Sequence, residues 1–359
     1  MAQYGGPQSV IIPAATQGLQ VRFSRTRDSF AVNRCLDVVP VTAIQGKFLR
    51  LDPDAGARIR TARSNWPDGQ LRPAPFASKH EWADFSCERS SENWQTGNLT
   101  LDQAMNVTGW DKAQTDMDLA ATLAMLNLTY EFETLVTDVA TISKADCATA
   151  VGGVLLGSSE ANGYIQEAIT YGVNQIITAT RGAVKRSDIQ VLMGVTLAEA
   201  ISESPEYKSY AKNWANAQGF AERKNPYDEY GLLPSLWGVQ PVVFPDVFVT
   251  SAEGASVTTR RAFSGLGTSS GFDIDDPLIF QIKPKGPMVR ETAEVGAQDG
   301  VPRVGGSLHG GVLKIVKEDM VSEVDVDNWH RITRGGVSNN YDLVVSSTRS
   351  IYMIGECVA

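Results

Sequence analysis

The sequence predicts a mixed α+β fold, and three observations carry that expectation. The run from Asp116 to Ile142 contains no glycine or proline and reads as one long helix. The stretch from Tyr164 to Ser204 reads as helix, short buried strand, helix. From Gly231 onward the chain breaks into short β-type runs joined by glycine-rich turns. With 359 residues, 43% of them hydrophobic and 20% charged, the chain can bury a sizeable core, and its length allows two compact domains or one with large excursions.

From Met1 to about Pro40 the pattern is aperiodic. Gly5, Gly6, Pro7, Pro13 and Gly18 interrupt it, and Arg22, Arg25 and Arg27 form a basic knot. Such a segment cannot bury enough apolar surface to fold on itself, so it reads as an extended arm, either disordered or laid on another surface. Residues 41–98 are polar and turn-rich, with Pro67-Asp68-Gly69 supplying tight-turn chemistry, and they suit a long hairpin or loop. Yet they carry Phe48, Trp66, Phe76, Trp82, Phe85 and Trp94, three of them among the chain's seven tryptophans. Aromatics on a polar excursion suit a partner-facing surface, since each buries much area at little entropic cost; a small satellite core under the loop is the other reading.

In the long helix, Leu128, Phe132, Leu135, Val136, Val139 and Ile142 recur at three and four, and Leu119, Leu123 and Leu126 extend the stripe upstream. Asp116 and Asp118 suit its positive N-terminal end. A second helix from Tyr164 to Thr180 places Ile165, Ala168, Ile169, Val173, Ile176 and Ile177 on one face. Ile189–Gly194 (IQVLMG) reads as a buried strand, and a third helix runs from Thr196 to a stop at Ser204-Pro205. Strand-like runs follow at 239–245, 247–250, 277–282, 312–316 and 342–347, and no repeat of fixed period interrupts them.

The chemistry-bearing residues are sparse. Lysine and arginine number 32 against 41 aspartate and glutamate, a net charge of -9, which argues against a histone-like DNA coat. The three histidines and four well-spaced cysteines offer no zinc-ligand pattern, and free thiols in a reducing compartment are expected. The beginning of the chain has no signal-peptide pattern, and the longest apolar run, Ala148 to Leu156, falls short of the roughly 20 residues of a spanning helix. GLGTSSG at 265–271 lacks the Lys-Ser/Thr of a phosphate loop. His309-Gly310-Gly311 has no nucleophile elbow to serve, and Asp273, Asp275 and Asp276 lack EF-hand spacing and read as a solvated turn. No catalytic residue, cofactor or metal ligand is assigned. The arginines at 22, 25 and 27, and Arg58, Arg60 and Arg63 in the excursion, are better suited to acidic neighbours than to nucleic acid.

The order of parts resembles the major capsid proteins of tailed bacteriophages of the Hong Kong 97 type. The most specific local match is YIQEAITYGVNQIITATRGAVKRSDIQVLMGVTLAEAISESPEYKSY at 164–210, with LPSLWGVQPVVFPD at 233–246 and DPLIFQIKPK at 276–285 similar to the stretches that follow in that family. The resemblance implies an N-arm at 1–40 and an E-loop at 41–98. It implies a peripheral domain from 99–150 and 316–345 with a spine helix at 116–142, and an axial domain from 151–315 and 346–359. It further implies hexamers and pentamers closing an icosahedral shell around phage double-stranded DNA touched only non-specifically, with Trp66, Phe76, Trp82, Phe85, Trp94 and the six arginines as intersubunit contacts.

No long charged helical segment precedes the arm, so the resemblance implies a separate scaffolding protein, alongside a portal and a decoration protein. Shells would form in the host bacterial cytoplasm and end in the virion, with no membrane involved. Some relatives join subunits through a Lys-Asn bond; here Lys47 and Lys79 with Asn339 or Asn340 are the only candidates, and they read as ordinary surface groups. Two other readings stay open: an encapsulin nanocompartment shell, and a soluble α/β enzyme with a lid at 41–98.

Overall fold

A computed structural model describes residues 27–51, 80–104, 111–152, 164–218, 227–251, 255–284, 303–304, 310–327 and 329–357. Its main elements in chain order are β1 (Leu36–Pro40), β2 (Gln45–Leu51), β3 (His80–Ser86), β4 (Glu88–Gly97), α1 (Lys112–Val136), β5 (Ser143–Asp146) and α2 (Ile165–Ala179). There follow β6 (Ile189–Gly194), α3 (Val195–Glu203), α4 (Pro205–Gln218), β7 (Gln240–Phe244), β8 (Leu278–Ile282), β9 (Val312–Asp327), β10 (Ile332–Val345) and β11 (Ile351–Gly355).

Helix α1 begins and ends earlier than its apolar pattern suggests. Asp111 caps it by accepting the Gln114 N–H at 3.0 Å. At the other end Asp138 competes for the backbone: its carboxylate accepts the Ala140 N–H at 3.0 Å and its carbonyl accepts the Ile142 N–H at 2.9 Å, closing a turn that stops the helix. The apolar stripe therefore runs past the helix into that turn, where Ile142 is still buried. Upstream, Ala120, Ala124 and Met125 face the core, while Leu119 and Leu123, expected there, are exposed. The small Ala120 and Ala124 pack against Val337 of the sheet.

That sheet has the order β1-β9-β10-β4. Its centre is the long β9–β10 hairpin, of which the sequence showed only the two apolar ends. β4 pairs with β10 from Tyr341↔Glu88 to Ile332↔Gly97, so this part of the 41–98 excursion is built into the body. The Trp94 ring lies flat over Gly335, where an added Cβ would meet it at 2.6 Å, so only glycine permits this approach. β1 runs parallel to the first part of β9, and Phe30, Val32, Cys35 and Leu36 are fully or nearly fully buried. The inner end of the expected arm is thus folded into its own chain, through short 3-10 turns that carry no helical period.

The second sheet, β5-β11-β8-β6-β7, is buried against α2 and α3. Ile165, Ile169, Val173 and Ile176 of α2 meet Val191, Met193, Phe280 and Ile354 in one core. All six residues of β6 are buried. Ser204-Pro205 ends α3 as expected, but Pro205 also opens α4, since proline fits the first turn of a helix. Tyr207 of α4 anchors it, its hydroxyl donating to the Gly231 carbonyl at 2.9 Å and accepting from the Leu233 N–H at 2.8 Å.

One polar clamp ties α1 to the short ribbon 259–261. Glu133, 1% exposed, accepts both guanidinium nitrogens of Arg260 at 2.9 and 2.6 Å, and also the Phe263 N–H. This fork geometry raises the Arg260 pKa, because Glu133 stabilises the charged form.

Candidate assembly surface

The features that superficially suggest chemistry are structural. In the 265–271 loop the Gly265 and Leu266 N–H groups donate to Asp275, so a carboxylate of the same chain occupies the position a phosphate would need. Asp273 accepts the Asp275 N–H at 2.9 Å, and the three aspartates staple a turn. Burial, and then repulsion from Asp275, push Asp276 up to about 6. Among the described residues no group of three or more His, Cys, Asp or Glu is placed to hold a metal ion, and no helix is long and apolar enough to cross a membrane. The cysteines at 35, 87, 147 and 357 are free and buried, and burial raises the thiols of Cys35 and Cys87.

What the surface does offer is the β2–β3 hairpin and a strand with exposed apolar and acidic residues. β2 and β3 pair antiparallel from Gln45↔Ser86 to Leu51↔His80. Phe48 and Phe85 root this hairpin in a small core with Val39, Val41, Cys87, Leu313 and Ile315. Phe85 is buried within its own chain, where the period-two register turns it inward, while Trp82, three residues earlier on the same strand, is turned outward and is 39% exposed. Trp94 is half-buried against Gly335 and a cluster holding Ala120, Ala124 and Val337, so most of its ring is also packed by its own sheet and helix. Arg27 opens the first described turn. Arg22, Arg25, Arg58, Arg60, Arg63, Trp66 and Phe76 lie outside the described residues, as do Lys79 and His309.

Asn339 and Asn340 are buried in β10, where Asn339 accepts the Met320 N–H at 2.6 Å, and Lys47 pairs with Asp84 at 3.6 Å. The two asparagines are thus not the surface groups expected of them; the β9 bulge opposite draws the Asn339 side chain into the ladder.

The distal part of the β9–β10 hairpin was not anticipated as a surface of interest. Val324 and Val326 are 59% and 51% exposed, and Trp329 at the tip is 90% exposed. The same strand carries Glu318, Asp319, Glu323, Asp325 and Asp327. Near the hairpin root a groove lined by Glu88, Tyr130, Glu131, Asp138, Tyr341 and Asp342 continues this acidic character. Asp342 is raised by burial and secondarily by Glu88, although the Ser86 N–H it accepts at 2.8 Å works against that. Alternation of Val with Glu and Asp over 323–327 is the signal that could have revealed this strand.

No protein-family model and no curated protein matches the sequence. Solved structures match the fold over nearly its whole length. A phage-related protein from Bordetella bronchiseptica RB50 aligns over 93% of this chain and 94% of its own, with a TM-score of 0.58 at 14% identity. The capsid of cyanophage P-SCSP1u aligns over 99% of both chains, with a TM-score of 0.52 at 12% identity. A structure of phage G major capsid proteins and decoration proteins aligns over 100% of both chains, at a TM-score of 0.50 and 6% identity. The chain has the mixed α+β fold of these structures, which include phage capsid chains.

Proposed function

We propose that this chain is the major capsid protein of a tailed bacteriophage, a structural subunit that closes as hexamers and pentamers into an icosahedral shell around double-stranded DNA. The observation that carries the reading is the end-to-end coincidence of fold with a phage capsid chain, 99% of each covered. The division follows the Hong Kong 97 plan: N-arm 1–40, E-loop 41–98, a peripheral domain from 99–150 and 316–345, and an axial domain from 151–315 and 346–359. Within this plan α1 is the spine helix, β2 and β3 are the stem of the E-loop, and β4 is its anchor in the peripheral sheet. Since residues from Phe30 are built into the body, the reach of the arm falls to those before it.

Shell stability in this reading comes from burial between copies, with Trp82 and the exposed strand edge among the surfaces covered on assembly. The acidic balance suits a container that confines DNA without adhering to it. Its partners are other copies, a scaffolding protein, a portal and, as in the phage G structure, a decoration protein. Assembly takes place in the host cytoplasm and the product is the virion.

Negative-stain microscopy of the purified chain, alone and co-expressed with a scaffolding protein, tests the reading. Closed shells or capsomers are expected. A monodisperse monomer under both conditions would overturn it, and uniform 60-subunit cages filled with a cargo enzyme would favour an encapsulin.

A further inference from the structure

Strands β5 and β11 run parallel, and their register ends at Gly355↔Asp146, so the two segments leave the sheet side by side. One residue past Asp146 the chain turns into a short helix, Cys147–Val151, whose first turn Asp146 fixes by accepting the Thr149 N–H at 2.7 Å. Two residues past Gly355 lies Cys357. The two thiols meet in a hydrogen-bonding contact, each is 0% exposed, and both belong to the core built on α2 and β8. Cys357 also donates to the Ile354 carbonyl at 3.3 Å, which turns its sulfur back toward the strand end.

The other two cysteines make a contrast. Cys35 donates to the Ala31 carbonyl at 3.5 Å and Cys87 to the Ile315 carbonyl at 3.6 Å, and each lies in a different core. A lone buried thiol packs as a small apolar group. Two in contact, contributed by segments about 200 residues apart in the chain, bring together the reacting atoms of a cross-link.

We propose that Cys147 and Cys357 are a disulfide site, left reduced in the host cell and closed by a low-molecular-weight disulfide such as oxidised glutathione once the particle meets an oxidising medium. The bond rests on the thiol contact; its timing rests on the shell reading, since a shell is built in one redox compartment and released into another. The thiol–thiol hydrogen bond, and then burial, hold Cys357 well above the ordinary thiol range, so the packed pair is protonated and unreactive. Entry to the reaction is through Glu356, an exposed residue held at φ 54°, where a non-glycine backbone stores strain that opening relieves. With that turn open, the Cys357 thiolate, its proton lost to solvent, attacks one sulfur of the reagent and expels a thiolate, leaving a mixed disulfide. The Cys147 thiolate then attacks the Cys357 sulfur and expels the second thiolate. Two S–H bonds and the reagent S–S bond are broken, one protein S–S bond is formed, and both electrons end on the reagent, which leaves as two thiols. The new bond pins the end of β11 to the segment that follows β5 and holds the strand in its slot.

The test is run on full-length chain, both as unassembled subunit and as particles. Each is incubated with oxidised glutathione, the remaining thiols are blocked with N-ethylmaleimide under denaturing conditions, and the digest is mapped by mass spectrometry. A peptide pair joined through Cys147 and Cys357 of one chain is expected, with Cys35 and Cys87 alkylated. The oxidised subunit should melt about 5 °C above the reduced one, because the bond closes a long loop in the unfolded chain. That difference should vanish in Cys147→Ala and in Cys357→Ala, and persist in Cys35→Ala combined with Cys87→Ala. The mapping needs no variant, so it decides even where a substitution prevents folding. Particles taken from acid-quenched cells should carry the two thiols free, and released particles should carry them joined. Cys147 and Cys357 alkylated singly after incubation, or joined only to other chains, overturn the site. A bond already complete inside the cell overturns its timing. The absence of particles overturns the shell reading and the timing with it, while the subunit mapping decides the bond on its own.

Discussion

Replacing Arg260 with methionine should destabilise the isolated subunit more than any surface substitution, and the structure sets the size of the effect. Glu133 is 1% exposed and the Arg260 side chain 16%, so the pair is sheltered from solvent screening. Removing one partner of such a pair typically costs about 3–5 kcal/mol, because the remaining charge is buried without compensation. The Phe263 N–H still donates to Glu133 and offsets about 1 kcal/mol of that. The guanidinium also lies over the Phe248 ring, 5.2 Å from its centroid, and a methionine thioether recovers part of that contact. The expected net loss is thus about 3 kcal/mol.

Urea unfolding of unassembled subunit at neutral pH should show it as a lower midpoint with an unchanged slope. Glu133→Leu combined with Arg260→Met should recover most of the loss. A cost below about 1 kcal/mol for Arg260→Met would refute the view that this pair is sheltered and mutually dependent.

Trp82→Ala should leave the unfolding midpoint of the subunit within error while reducing particle yield, whereas Phe85→Ala should cost about 3–5 kcal/mol of subunit stability, as read by the same denaturation. Asp276, pushed up to about 6 from 3.8, takes up a proton on folding between those values, so its contribution to stability declines as pH rises from about 4 to about 6. Asp276→Asn should flatten that segment of the curve of melting temperature against pH; an identical slope in the variant would show that another group sets it.

How much of this was readable beforehand depended on whether an element carries its own signal. Helix α2, strand β6 and helix α3 were legible almost to the residue, since each has a full apolar face and a clear stop. Helix α4 was not: only Tyr207 and Ala211 are buried in its described part, and Pro205 was taken as an end when it is also a beginning. β4 has the polar sequence ERSSENWQTG and is a strand because β10 supplies its hydrogen bonds, a cause that lies more than 230 residues away in the chain. For the surface, the excursion's aromatics drew attention to the right hairpin. Which of them turn inward depended on the register of β2 against β3, and that is set by the turn and core together. The outer half of β9 went unread because its carboxylates mask a two-residue alternation.

The position of β11 has a consequence for biosynthesis. It lies inside its sheet, parallel to β5 on one side and antiparallel to β8 on the other, and its five residues are buried on both faces. A nascent polypeptide halted on the ribosome short of residue 351 would leave that slot open, with the edge of β8 at Ile279 and Phe280 unpaired. Such a truncated product would expose apolar surface of the kind that makes incompletely folded chains prone to aggregate.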